Sequence, residues 1–340
     1  MIDLKKLPRT EFASAVAQIA GQRRIDPQTI IDSVKLALIA AYKKDAKERG
    51  EIINEDEVYE VELDPESGEA KIFLIKGEEK KDVTPPGFGR IAAQTAKQVI
   101  IQKIREAEKE AIFKEYAPRV GSLLTGTILR VDPYRVVVGV GKAEAILPKE
   151  EQIRGERYEP TLKMSFFFKE IIKREEKKEI ILSRRDPGLV KELFRREVPE
   201  VSLGNVKIEK IARIPGKRSK VAVVSVQPGI DPVGSCVGQN GVRVQAVMRE
   251  LGEEKIDIIP YSENKTQFIL AALSPVEGGK IEKIDEENKT VVVVVPEEKL
   301  ALAIGSSGEN VKLASELVGY EIKVISDSAK KTKEQKKLKR

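Results

Sequence analysis

Hydrophobic spacing separates the 340-residue chain into regions of different secondary structure. Residues 12–44 carry apolar side chains at helical intervals and predict two amphipathic helices. The second is predicted to begin at Asp26 and Pro27, because the aspartate caps a free amide and proline needs no hydrogen bond in the first turn. Residues 58–76 alternate around the turn DPESGE and predict a hairpin. A segment starting at Phe88 has no Pro or Gly between Arg90 and Ala117 and predicts a helix of roughly 40 Å.

After Gly121 the pattern changes to five short apolar segments separated by turn residues. Such spacing is typical of a small closed barrel of the OB type. A single helix over residues 186–199 is predicted to join this barrel to the rest of the chain. Tyr134 and the run 166–168 are the aromatic candidates for stacking on bases, and strand alternation is expected to bury either Phe166 with Phe168 or Phe167.

The C-terminal part of the chain repeats itself. The tetrapeptide KIEK opens a predicted hairpin at Lys207 and again at Lys280, and a short helix and a V/I-G-x-x-G-x-x-V loop follow each hairpin. Gly252 and Gly319 then come eleven residues after the second glycine of each loop, where they are expected to end a helix. Two copies with so many matched positions predict two domains of one fold.

The order β-α-GxxG-α-β is the core of a KH domain, whose loop clamps about four nucleotides of single-stranded RNA or DNA. Glycine adopts positive φ and has no Cβ, so phosphates can approach backbone amides at the following helix N-terminus. Because the residues between the glycines are uncharged, we expect contact through amides and short polar side chains. The predicted RNA-binding residues are Gly238, Gln239, Asn240, Gly241, Arg243, Gly305, Ser306, Ser307, Gly308, Asn310 and Lys312, with Lys217, Arg218 and Lys220 in the segment IPGKRSK.

The amino-acid composition limits the kinds of catalytic and metal sites that the chain can form. The chain has no histidine and one cysteine, Cys236, which excludes thiol-imidazole catalysis, Ser-His-Asp triads and His/Cys zinc sites. Cys236 is expected to be a small buried hydrophobe. Neither a P-loop nor a clustered set of carboxylates is evident, so we expect no catalytic residues, no metal and no cofactor.

The charge of the chain is concentrated at its end. The net charge is +6, but the last fourteen residues carry seven Lys or Arg and two acids, so the remainder is nearly neutral. An RNA site must therefore consist of local patches rather than of a general positive field. No apolar run approaches the length of a membrane span, and residues 1–12 lack the apolar core of a signal peptide, so a cytoplasmic protein without membrane contact is expected.

Five segments carry a resemblance to a known family: FGRIAAQTAKQVIIQKIREAE, LSRRDPGLVKELFRREVPEV, RSKVAV, DPVGSCVGQNGVRVQAVMRELGEEKIDII and AIGSSGENVKLA. In this order they resemble the NusA family of bacterial transcription elongation and termination factors, over residues 10–326. The resemblance implies a multidomain α+β protein with an N-terminal helical α/β domain and long connecting helix, a ribosomal-S1-like OB barrel of five strands, and two tandem type II KH domains. The expected domains are residues 1–118, 119–186, 187–272 and 273–326, followed by a basic disordered tail over 327–340.

The same resemblance implies partners and roles. The N-terminal domain is expected to bind RNA polymerase core, and the barrel and KH domains are expected to bind nascent single-stranded RNA, in pausing, intrinsic termination and antitermination with other Nus factors. Arg90 and Lys97 are candidates for contact with RNA at the exit channel. A monomer is expected. Autoinhibition through acidic repeats is not expected, because no such repeats follow the second KH unit.

Two other function classes compete with this interpretation. Barrels and KH domains also accompany RNA-decay enzymes, but such an enzyme would need a catalytic domain that the residues do not indicate. A ribosome-associated RNA-binding protein would account for the barrel and the KH pair, but it would leave the N-terminal domain without a role.

Overall fold

The computed structural model describes residues 11–23, 26–51, 53, 57–77, 79–174, 177–252 and 254–328, arranged in two compact units, Met1–Tyr116 and Ala117–Arg340. Apart from Asp327 and Ser328, the predicted basic tail lies outside the described residues. Within the described ranges, no helix has the length and apolar character needed to cross a membrane.

The described residues of the first unit form three helices and a three-stranded antiparallel sheet. Its elements are α1 (Glu11–Arg23), α2 (Pro27–Glu48), β1 (Val58–Leu63), β2 (Ala70–Lys76), β3 (Glu79–Asp82) and α3 (Phe88–Tyr116), with sheet order β1-β2-β3. The predicted capping of α2 is confirmed, since the Asp26 carboxylate accepts from the amide of Gln28 at 3.2 Å. Strand β3 was not predicted, because its residues EKKD are all exposed and only backbone pairing with β2 defines it.

The core of this unit lies between α2, one face of the sheet and α3. Besides Tyr116 at its end, the buried residues of α3 are Phe88, Ala92, Ala96 and Ile100, four residues apart. The first three pack in one cluster with Leu38, and Ile100 packs with Val16 and Ile30. Spacing of four residues keeps one helix face toward the core. The remaining faces of this long helix are therefore largely available to solvent.

The second unit begins with the barrel. Its strands are β4 (Leu123–Asp132), β5 (Arg135–Val140), β6 (Ala143–Pro148), β7 (Lys163–Arg174) and β8 (Lys177–Ser183), closed in the order β4-β5-β6-β8-β7. Closure confirms the OB-type prediction. Gly126 permits it locally, since a Cβ there would lie 2.4 Å from Cγ1 of Val138 on the neighbouring strand.

Two KH domains follow the barrel. The first consists of α4 (Pro187–Glu197), α5 (Pro199–Ser202), β9 (Val206–Ile214), β10 (Arg218–Ser225), α6 (Pro232–Val237), α7 (Val242–Glu250) and β11 (Lys255–Pro260). The second consists of α8 (Lys265–Ala272), β12 (Lys280–Asp285), β13 (Thr290–Val295), α9 (Leu300–Ile304), α10 (Glu309–Val318) and β14 (Glu321–Ser326). In each sheet the middle strand pairs antiparallel with the first and parallel with the last, and this repeat confirms the predicted fold class.

The two KH domains share a hydrophobic core. On β10, Val221 and Val223 face the helices of the first domain, whereas Ala222 faces the second domain. There it joins Phe268 of α8 and Leu313 of α10, all buried. Because both faces of the first sheet are covered, β10 is a nearly continuous apolar run rather than an alternating one.

A buried arginine joins the barrel to the first KH domain. Arg184, with no exposed surface, donates to the carbonyl oxygens of Ser165 at 2.8 Å and Glu250 at 2.9 Å, and it forms an ion pair with Glu156. The Glu250 carboxylate in turn accepts from the Ser165 amide at 3.1 Å and from Arg196 at 3.2 Å. A buried charge is stable only when its hydrogen bonds are filled, so these contacts hold the barrel and the KH pair in one body.

Candidate nucleic-acid interface

The two GxxG loops have almost the same backbone conformation. Three positions in each have positive φ: Gly238, Asn240 and Gly241 in the first loop, and Gly305, Ser307 and Gly308 in the second. Their φ/ψ angles are 75°/171°, 52°/24° and 76°/12° in the first loop and 76°/172°, 53°/24° and 75°/12° in the second. Each loop therefore makes the same turn between two short helices, as the repeated motif predicts.

The first glycine of each loop is required by packing inside the domain. A Cβ at Gly238 would lie 2.7 Å from Cγ of Arg243, and one at Gly305 would lie 2.7 Å from Cβ of Asn310. Both neighbours are five residues further along the chain. The sequence suggested that a ligand needs this space, but at these two positions the chain itself fills it.

The second glycine of each loop has more room. Around Gly308, no other atom of the described residues lies within 4 Å of an added Cβ, and at Gly241 the nearest is Nε2 of Gln245 at 3.5 Å. Both glycines are left-handed and directly precede a helix of nine residues or more, α7 or α10. A polyanion can approach the first turn of these helices, where free amides and the helix dipole favour negative charge.

The hydrogen bonds of each loop are made by its two glycines, and the two residues between the glycines face solvent. The Gly238 amide donates to the carbonyl of Gly234 at 2.8 Å and the Gly241 amide donates to Gly238 at 3.1 Å. The Gly305 and Gly308 amides make the corresponding bonds in the second domain, at 2.9 and 3.2 Å. The predicted contact residues between the glycines, Gln239, Asn240, Ser306 and Ser307, are all exposed.

Arg243 supports the first loop from behind. Its Nη1 donates to Glu200 Oε2 at 2.8 Å and to the carbonyl oxygen of Ser235 at 2.7 Å, and its side chain is half-buried. The guanidinium is therefore already neutralised by Glu200. The Arg243 side chain packs next to Gly238 and supports the loop. Any contact of Arg243 with RNA would compete with its bonds to Glu200 and Ser235.

Asn310, a predicted RNA-binding residue, takes the same place in the second loop but is fully buried, so its side chain is not accessible to RNA in this structure. Its Nδ2 donates to the carbonyl oxygens of Ala303 at 3.0 Å and Leu273 at 3.3 Å. Its Oδ1 is buried without a hydrogen-bond partner among the described residues. The sequence could not reveal this, because Asn at a helix start is usually an exposed cap.

The predicted cationic segment IPGKRSK is divided by the structure. Lys220 is fully buried and donates to Asp257 Oδ2 at 3.0 Å and to the carbonyl oxygen of Ser274 at 2.7 Å, so its ammonium group is not accessible to RNA in this structure. Burial lowers the pKa of Lys220, although Asp257 opposes the shift. Arg218 forms a bidentate ion pair with the Asp257 carboxylate, at 2.8 and 2.9 Å. Through the bond from Lys220 to Ser274, this charged cluster lies at the seam, the contact between the two KH domains.

Lys217 and Lys312 remain accessible. Lys217 lies in the turn between β9 and β10, where its Nζ is 2.7 Å from Oε1 of Glu309. Lys312 is exposed on α10, one turn after the loop, and within the described chain it forms no ion pair. Of the predicted cations of the KH pair, these two are available to a phosphate without breaking a buried contact.

Arg90 and Lys97 lie in the other unit. Both are exposed on α3, seven residues apart, and seven residues are close to two helical turns. The two cations therefore lie about two turns apart on one side of the helix.

The barrel presents little aromatic surface. Phe166 and Phe168 are fully buried, and Phe167 packs against α4, where a Cβ at Gly188 would lie 2.4 Å from its Cζ. Tyr134, in the turn between β4 and β5, is 79% exposed. The alternation argument for the phenylalanines is confirmed, and Tyr134 is left as the candidate for base stacking.

The single cysteine belongs to the core of the first KH domain. Cys236 is buried, and burial raises the pKa of its thiol to about 12, as expected of a structural cysteine. No group of His, Cys, Asp and Glu within the described ranges could hold a metal ion.

A closed barrel followed by two fused KH domains, each with an open glycine turn at a helix N-terminus, defines the tandem KH class of proteins. Family models match most of the chain: the NusA N-terminal domain at residues 11–79 and 75–110, the NusA-like first KH domain at 184–261 and the NusA-like second KH domain at 265–332.

Three curated relatives, each named "Transcription termination/antitermination protein NusA", match almost the whole chain. The protein of Halalkalibacterium halodurans is 37% identical over 94% of this chain and 89% of its own length. Those of Bacillus subtilis (36%, over 94% and 91%) and Thermus thermophilus (37%, over 92% and 89%) are equally similar. The chain belongs to the NusA family.

The family matches place the border between the KH domains earlier than residue 273. The second match begins at 265, the first residue of α8, and so includes this helix. Each copy then begins with a helix, which the short α5 follows in the first copy only, and continues with two antiparallel strands, two helices and a parallel strand. Because α8 is buried in the core shared by both domains, hydrophobic periodicity alone could not assign it to either.

Several residues that hold the interface in place were not predicted. Arg184 and Glu250 fix the barrel junction, Glu200 holds Arg243, and Glu254 is fully buried beside Arg213 at 2.9 Å. A partial signal existed at Arg184, which directly follows an apolar strand and precedes a helix cap. Their partners lie up to 85 residues away, as for Ser165 and Glu250, so only the fold brings them together.

Proposed function

We propose that this chain is a transcription factor that binds RNA polymerase core through its N-terminal domain and nascent single-stranded RNA through the barrel and the two KH domains. In this role it modulates pausing, intrinsic termination and antitermination in the cytoplasm, as a monomer, together with other Nus factors and without catalytic activity of its own. The observation that carries the proposal is the pair of GxxG loops with the same dihedral angles, each opening onto a helix N-terminus.

The RNA-binding part rests on local chemistry. Each loop exposes two uncharged residues and a glycine without crowding, so a phosphate can reach main-chain amides. Lys217 and Lys312 supply exposed positive charge beside the second loop. The shared core fixes the position of the two loops relative to each other, which suits the binding of one continuous RNA strand rather than two independent ones.

The polymerase-binding part is tested by truncation. Full-length protein and a chain starting at Gly121, near the border of the two compact units, are each immobilised and incubated with RNA polymerase core. Retention by the full chain and loss on truncation support the proposal. Equal retention by both would contradict the role of the N-terminal domain, and retention of ribosomes instead of polymerase would favour the ribosome-associated alternative.

A second test separates binding from RNA decay. Labelled single-stranded RNA is incubated with the protein and Mg²⁺, and its length is followed by electrophoresis. Intact RNA in a retained complex is expected. Shortened products would favour the RNA-decay enzyme.

The exit-channel role of Arg90 and Lys97 can be tested separately from KH binding. Replacing both by Ala is expected to weaken pause stimulation in a transcription assay while leaving the affinity for short RNA unchanged. Lys109→Ala is a suitable control, because Lys109 is exposed on the same helix. Loss of affinity for short RNA in the double variant would refute the assignment.

A further inference from the structure

The two GxxG loops differ in the charge of the residue that follows the second glycine. In the first loop this residue is Val242, which is 60% exposed. In the second it is Glu309, the first residue of α10. A carboxylate in the first turn of a helix interacts favourably with the dipole and the free amides there. The second loop thus has its own negative charge at the place where a phosphate would bind.

This carboxylate is held by a cation from the other KH domain. Lys217, in the β9–β10 turn of the first domain, reaches Glu309 with 2.7 Å between Nζ and Oε1 across the seam. The Lys217 side chain is 63% exposed and that of Glu309 is 22% exposed. An ion pair this open to water is weakly stabilising, so a competing anion can displace one partner.

We propose that Glu309 is an internal competitor of RNA phosphate at the second loop, and that Lys217 is the cation for which the two compete. The inference rests on the proposed RNA-binding function. While Lys217 holds Glu309, the pair is neutral and the loop offers a phosphate only its amides, its serine hydroxyls and Lys312 one turn further on. When RNA enters, Lys217 turns to the phosphate and the Glu309 carboxylate is left to solvent. At the equivalent position after its second glycine the first loop has the uncharged Val242, so the two loops differ in strength although their backbones match.

The central test is Glu309→Gln in the full-length chain. Affinity is measured by fluorescence anisotropy with a labelled, mixed-sequence single-stranded RNA of about 12 nucleotides, long enough for both loops. Removing the competing charge is expected to tighten binding about threefold to fivefold at low salt and to steepen the dependence of log affinity on log salt by about 0.7, which corresponds to one more neutralised phosphate.

Matched variants separate a local effect from a general change of charge. Glu316→Gln removes the same charge from an exposed position two turns further along α10 and is expected to change affinity little. Val242→Glu places the competitor in the first loop and is expected to weaken binding, whereas Val242→Gln is its neutral control. Lys217→Met is expected to weaken binding and to abolish the gain of Glu309→Gln when the two are combined.

The outcomes distinguish this inference from the function on which it rests. If the unaltered chain does not bind the RNA at all, the proposed function fails. If it binds and Glu309→Gln behaves like Glu316→Gln or binds more weakly, only the competition is refuted. Circular dichroism melting of each variant shows whether it is folded, and Val242→Glu, at an exposed position, provides an independent decision should Glu309→Gln unfold.

Discussion

The two glycine loops have the same backbone but are held by different side chains. Behind the first, Arg243 is half-buried and its charge is balanced by Glu200. Behind the second, Asn310 is fully buried and its Nδ2 donates to two main-chain carbonyls. One loop is supported by an ion pair near solvent and the other by neutral packing. The comparison teaches that a loop geometry can be conserved between repeats while the means of stabilising it are exchanged.

The largest expected difference concerns the first glycine. In Gly305→Ala the new Cβ would meet the Asn310 backbone nitrogen at 2.9 Å, which cannot move away, whereas in Gly238→Ala it meets the flexible side chain of Arg243. We expect losses of unfolding free energy of about 4 kcal/mol and about 2 kcal/mol, respectively. Urea denaturation measures both.

Gly308→Ala is the control for the cost of positive φ alone, since the added Cβ would have no neighbour within 4 Å among the described residues. It should cost about 1 kcal/mol. If Gly238→Ala proves as damaging as Gly305→Ala, the two supports are equally rigid and the contrast between them disappears.

The supporting side chains themselves should rank in the same way. Asn310→Ala leaves the carbonyl oxygens of Ala303 and Leu273 without their buried donor, and we expect a loss of about 2 kcal/mol. Arg243→Ala breaks a more exposed ion pair and should cost about 1 kcal/mol. Thermal unfolding of the two variants in parallel tests the order. A reversed order would mean that the Glu200 contact, not neutral packing, is the stronger support.

A negative charge in the middle of either loop should weaken RNA binding. Asn240→Asp and Ser307→Asp place a carboxylate at equivalent exposed, left-handed positions, and repulsion of the phosphate should lower affinity about fivefold in each. Asn240→Ser, which copies the second loop, is the neutral control. Anisotropy with a short single-stranded RNA measures the effect, and a response in one loop only would show that the loops do not share the task.

The smallest expected effect concerns the residue four positions after the second glycine. This is Lys312 in the second loop and Gln245 in the first, both exposed. Lys312→Gln should lower RNA affinity about twofold and flatten the salt dependence by about 0.7, and Gln245→Lys should do the reverse. The same slope in both variants and in the unaltered chain would remove Lys312 from the interface.

Prediction from sequence worked best where local chemistry decides the structure. The cap at Asp26, the long helix starting at Phe88 and the two loops follow from residue type and spacing, and the structure confirms them. It did not anticipate the burial of Lys220 and Asn310, which look like surface residues in the sequence. Their burial results from docking of the second KH domain on the first sheet, and no local pattern carries that information.

The sequence by itself therefore determined most of the elements and their order, the closed barrel, the repeat and the positive-φ turns, because backbone propensity and hydrophobic spacing act over a few residues. Only the tertiary structure decided which charges are free. Lys220 is buried between the two KH domains, and Arg243 is paired with Glu200 behind the first loop. Lys217 contacts Glu309, which lies 92 positions further along the chain. Electrostatic pairing depends on distance in space and on exclusion of water, and both are set only when the domains have packed together.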